Sequence, residues 1–131
     1  MPRTPPSSNR KPPPPSRARR IAWLTAFVVM TVGCAAMAGW LDLHNGDVQG
    51  TIQVVAVSSF AVSALFAPGG WLGGILVGFG VPLAHLYARL AGIPLPYAAP
   101  QVLSSFVQLI PAVAGSIAGL ALRAGVRHAR S

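Results

Sequence analysis

The sequence predicts an all-α membrane protein: a four-helix transmembrane bundle with a disordered, basic, proline-rich N-terminal tail and both termini on the cytoplasmic side. Three observations carry this. Hydrophobic residues make up 53% of the 131-residue chain and charged ones only 9%, whereas a typical soluble domain is about 25% charged. Residues 21 to 41 and 48 to 84 contain no charged side chain, and runs of that length match a hydrocarbon core of about 30 Å at a rise of about 1.5 Å per residue. The basic residues bracket the apolar stretch. Arg3, Arg10, Lys11, Arg17, Arg19 and Arg20 precede it, and Arg123, Arg127 and Arg130 follow it. Basic flanks hold a segment on the cytoplasmic face, so an even number of spans is expected.

Each element follows in order. Residues 1–20 are rich in proline, serine and arginine; such a composition buries no core and is expected to stay disordered. The membrane domain covers 21–122, with spans at about 21–41, 48–67, 71–90 and 101–122. The first span ends at Asp42, and the polar loop that follows holds Asp42 and Asp47, the only two acidic residues. Ala67-Pro68-Gly69-Gly70 reads as a tight turn between the second and third spans. Pro82 should kink the third span, because its ring removes a backbone donor and crowds the carbonyl of Gly78. Pro111 does the same in the fourth, freeing the carbonyl of Val107. Residues 123–131 form a basic tail. In this arrangement Trp23, Trp40, Trp71, Tyr87 and Tyr97 all fall at a membrane interface, where such rings are favoured. An alternative makes segment 21–41 a cleaved signal peptide, with Ala36-Met37-Ala38 as the cleavage site. The apolar run continues to Leu41, which favours a retained span.

The net charge of +8 does not indicate a nucleic-acid partner, because the basic tail carries no stacking aromatic and lies outside the folded region. The lone Cys34 excludes an internal disulfide. No phosphate loop, zinc spacing or nucleophile elbow is present, so no catalytic residue, cofactor or metal is assigned. Asp42, His44, Asp47 and His85 match no established metal-ligand spacing.

The candidate functional positions are of two kinds. Gly70, Gly74 and Gly78 recur every four residues on one helix face, as do Gly115 and Gly119. Small residues let helices approach closely in lipid, where apolar burial supplies no drive. These glycines are helix-packing candidates, within the monomer or between copies, and the third and fourth spans are expected to pack through them. His85, Arg89 and Gln108 are the polar candidates, since ionisable or amide groups in a span are expensive. Arg89 near the helix end has an anchoring role as its simplest reading, and Asp42 or Asp47 is its expected ion-pair partner. No Asp or Glu falls within any span as drawn, which argues against a proton-coupled transporter.

The expected function is therefore that of a non-enzymatic, multi-pass accessory or scaffold subunit of a bacterial inner membrane. Its partners would be the lipid bilayer and a second copy or another membrane protein. The alternative is a small transporter, channel or holin-like pore former, with the two proline-broken helices, His85 and Gln108 lining a passage.

Overall fold

The computed structural model describes residues 15–45, 48–66, 68–94 and 102–130, and only the backbone at Val102 and Leu103. The expected disorder of the proline-rich tail falls on 1–14, outside the described residues, as do Asp47 and Tyr97. The described chain is all-helical: α1 (Arg17–His44), α2 (Val48–Leu65), α3 (Gly70–Gly78), α4 (Gly80–Leu90), α5 (Val102–Ser105), a 3₁₀ turn at Phe106–Gln108, and α6 (Leu109–His128). Four helical stretches are long and apolar enough to cross a membrane: Arg17–His44, Val48–Leu65, Gly70–Leu90 and Phe106–His128.

The boundaries depart from expectation in ways the local chemistry explains. Helix α1 starts at Arg17 rather than Ile21, because the Ser16 hydroxyl accepts the backbone N–H of Arg19 at 3.4 Å, a standard N-cap. At its other end α1 passes through Asp42 and stops at His44. Helix α6 likewise runs to His128, so most of the basic tail is helical. The third span is broken at Phe79, whose N–H turns back to Leu76 and Val77; Pro82, three residues on, lacks the N–H that would bond Gly78. The fourth span opens with the 3₁₀ turn, and the Leu109 N–H bonds Phe106 and Val107. The Val107 carbonyl freed by Pro111 is thus taken up locally.

The bundle has a basic end, where α1 starts and α6 finishes, and a far end where α1, α2 and α4 meet. Its interior is more polar than its surface. Thr51, Ser59 and Ser63 are fully buried beside Val55, Val62, Val77 and Val81, while Val29, Val32, Leu83, Leu90 and Ile110 are exposed. Water would reverse that distribution, whereas lipid tails accept apolar side chains and leave polar ones to pair inside.

Small residues set the spacing. A Cβ on Gly80 would strike the Ala35 carbonyl, and one on Gly39 would lie 2.7 Å from Ala84 and Gly80, so α1 and α4 cross nearly backbone to backbone. Gly115 meets the Ala56 carbonyl and Gly119 the Phe60 carbonyl, which seats α6 along α2. Gly74 faces Ser59, Ser63 and Ser116, and Gly78 faces Ala112. The third and fourth spans therefore touch through Gly74 and Gly78 on one side and Ala112 and Ser116 on the other. Gly115 and Gly119 face α2 instead. The Ser59 hydroxyl donates to the Gly74 carbonyl at 2.7 Å and Ser63 to the Gly70 carbonyl at 3.2 Å, tying α2 to α3 across the interface rather than folding back on α2. Gly69 in the preceding turn has φ 111°, a value that glycine adopts without strain.

Candidate polar cavity at the far end of the bundle

The small-residue seam between α1 and α4 leads to a pair of ionisable groups. On α1 it runs Ala35, Ala38, Gly39 and then Asp42, positions one helical face shares. On α4 it runs Gly80, Ala84 and then His85. The close approach at Gly39 and Gly80 brings the last residues of both faces together. The His85 Nε2–H donates to Asp42 Oδ2 at 2.6 Å, and both side chains are largely buried, at 6% and 11% exposure. Arg89, expected to pair with Asp42 or Asp47, does not take Asp42, and Asp47 lies outside the described residues. Arg89 lies one turn closer to the helix end, where it is exposed, and His85 occupies the position facing α1.

Asp42 and His85 open onto a cavity of about 430 Å³, lined also by Asn45, Ile52, Val81, Ser105 and Gln108. Gln108 enters through the 3₁₀ turn ahead of Pro111. The tightened winding buries Gln108 at 5% exposure while its neighbours Phe106 and Val107 remain exposed. Gln108 Oε1 accepts no hydrogen bond from a described residue. Val81 supplies an apolar wall, and Phe79 meets Phe106 edge to face with centroids 6.2 Å apart, packing the helix break against the 3₁₀ turn.

His85 and Gln108, singled out from the sequence, thus share one cavity. Arg89 does not reach it. His44 also stands apart: its ring stacks on Trp40 at 4.5 Å, and its Nδ1 lies 2.8 Å from the Trp40 carbonyl. Among the described residues no three His, Cys, Asp or Glu side chains converge as a metal site would need. The glycine positions lie elsewhere, at the contacts between α3, α2 and α6.

Asp42 is the residue that sequence reasoning misplaced. Hydropathy alone makes it the first residue of a loop, because a charge after an apolar run normally marks the membrane boundary. The signal that finds it is the Ala35-x-x-x-Gly39 stripe, which three residues later arrives at Asp42.

The fold and cavity together fit a small helical membrane protein with a buried polar site near one end. No known protein family, curated protein or solved structure matches the chain, so its chemistry is read from the site itself.

Proposed function

We propose that this chain is a non-enzymatic, multi-pass protein of a bacterial cell membrane that binds a small solute rich in hydrogen-bond donors in the far-end cavity, as a transporter or channel subunit does. The observation that carries the reading is the buried Asp42–His85 pair beside Gln108 Oε1, which accepts no bond from a described residue, in a cavity of about 430 Å³. Buried polar groups in a bundle are costly, and convergent ones in a pocket of this size suit a small ligand. A carboxylate and an amide oxygen both accept hydrogen bonds, which favours ammonium ions, small amines or polyols over anions. The break at Phe79, next to the cavity, supplies a hinge of the kind discontinuous membrane helices use. The flanking arginines favour a cytoplasmic side for both termini, and in that orientation the cavity would lie near the outer face.

The test is flux in liposomes holding the purified protein, across a panel of ammonium, short amines and polyols. Uptake of at least one solute, lowered by Asp42→Asn and by Gln108→Ala, supports the reading. No uptake and no binding of any of them overturns it.

A second reading, an accessory or scaffold subunit, is favoured by a separate observation. The most apolar window of α1 is only 11% buried, against 50% for Gly70–Leu90, so α1 offers a long apolar flank to a partner helix. With Gly70, Gly74, Gly78, Gly115 and Gly119 occupied inside the monomer, such a partner or second copy would dock on α1. Crosslinking from single cysteines at Val28 and Val32, in a Cys34→Ser background, separates the two readings: an intermolecular product supports the scaffold, and its absence counts against it.

A further inference from the structure

At the basic end, α6 crosses the turn between α2 and α3 and leaves a groove of about 430 Å³ lined by Phe66, Pro68, Trp71, Leu120, Arg123 and Arg127. Its two arginines are four residues apart and so lie one above the other on α6. Arg123 is half-buried, and its guanidinium donates to the Ala64 carbonyl at 3.3 Å, one of the carbonyls left open at the end of α2. That bond fixes the head of Arg123 at the groove. Arg127 is exposed.

Among the described residues no carboxylate answers this charge. Asp42 is the one acidic side chain among the described residues, and it is bound to His85 at the opposite end. Trp23 extends the site, since its ring lies 5.0 Å from Phe66 and it lines an adjoining hollow with Arg19 and Arg20. Those arginines sit in the first turn of α1, which contains no acidic residue. A helix N-terminus carries partial positive charge and disfavours cations there. The described residues of this end are therefore short of negative charge, while its walls are aromatic and aliphatic.

We propose that the groove between α6 and the α2–α3 turn is a binding site for an anionic phospholipid. The phosphate lies between Arg123 and Arg127, which present forked donors matched to phosphate oxygens. An acyl chain follows Leu120, Phe66 and Trp71 into the bilayer. The ring of Trp71 lies at headgroup depth, where indoles are favoured. A soluble anion uses the arginines but gains nothing from the apolar wall, so the site selects lipid.

The test uses the full chain in detergent with added phosphatidylglycerol or phosphatidylcholine, read by native mass spectrometry and by melting temperature. The expected result is one retained phosphatidylglycerol per monomer, a raised melting temperature, and no comparable effect of phosphatidylcholine. Arg127→Gln is expected to weaken phosphatidylglycerol binding about fivefold, the share of one arginine near an anionic surface. Arg17→Gln removes the same charge from the same end outside the groove and is expected to leave binding unchanged. Equal retention of both lipids, equal weakening by both variants, or displacement of the lipid by millimolar inorganic phosphate each overturns the proposal. Arg123→Gln is a poorer test because it also removes the bond to Ala64.

Discussion

At the scale of single residues, Asp42 and His85 decide the character of the far end. Removing one member of a buried pair leaves the other without its compensating partner, which costs more than removing both. The expected outcome is that Asp42→Ala and His85→Ala each lower the melting temperature in detergent, and that the double variant loses less than the sum. The coupling should be about 1–3 kcal/mol and is measured by a double-mutant cycle. Asp42→Asn keeps an oxygen to accept the His85 Nε2–H, so it should retain more stability than Asp42→Ala. A strictly additive cycle would show that the pair contributes nothing. The pairing was not legible from the sequence. The two residues are 43 positions apart, and an aspartate at the edge of an apolar run has an open loop as its ordinary place. His85 and Gln108 were legible as unusual because they interrupt apolar stretches. Their joint cavity required the 3₁₀ turn; Pro111 announces irregular winding there but not which side chain it turns inward.

Between elements, glycine positions separate into those that meet a neighbour and those that do not. A methyl group at Gly115 would run into the backbone of Ala56, whereas one at Gly33 or Gly125 would meet nothing within 4 Å. Backbone atoms do not swing aside as a flexible side chain does. Gly115→Ala is expected to push α6 off α2 and to destabilise by roughly 1–3 kcal/mol. Gly33→Ala should be neutral or stabilise by roughly 0.5–1 kcal/mol, because alanine is the better helix former. Thermal melts of the purified variants check both, and equal effects at the two sites would refute the crossing described for α2 and α6. The glycine stripes were visible as four-residue repeats, yet a repeat does not name its partner. Gly70, Gly74 and Gly78 reach toward both α2 and α6, while Gly115 and Gly119 serve α2 alone. Helix breaks were easier to anticipate. Proline at 82 and at 111 removes a backbone donor wherever it sits, and irregular winding precedes each.

Across the whole molecule, the inverted polarity of interior and surface leads to a direct expectation. Carbonate washing of membranes should leave the protein in the pellet, since it is held by apolar contact with lipid. Reporter fusions at residues 45 and 95 should be active only outside the cytoplasm, and one after Ser131 only inside. An external reporter after Ser131 would break the assignment of termini to the cytoplasm. The four apolar stretches were readable at once because the charge-free runs have the length a bilayer demands. Their exact ends were harder to read. Arginine is a good helix former and Ser16 a good cap, so α1 gains a turn that hydrophobicity alone does not mark.

The layer beneath the cavity bears on how the membrane is kept sealed. Val62 and Val77 are fully buried there, and Phe27 and Phe66 close the space toward the basic end with ring centroids 5.4 Å apart. The valine and phenylalanine side chains of this plug offer no oxygen, and the hydroxyls of Ser59, Ser63 and Ser116 beside it are too few to replace an ion's hydration shell, so a dehydrated ion entering it would pay a steep Born penalty. In this conformation the bundle is expected to block the passage of ions along its axis. A bilayer studded with it at rest should hold its voltage, and any current would report that the plug had parted.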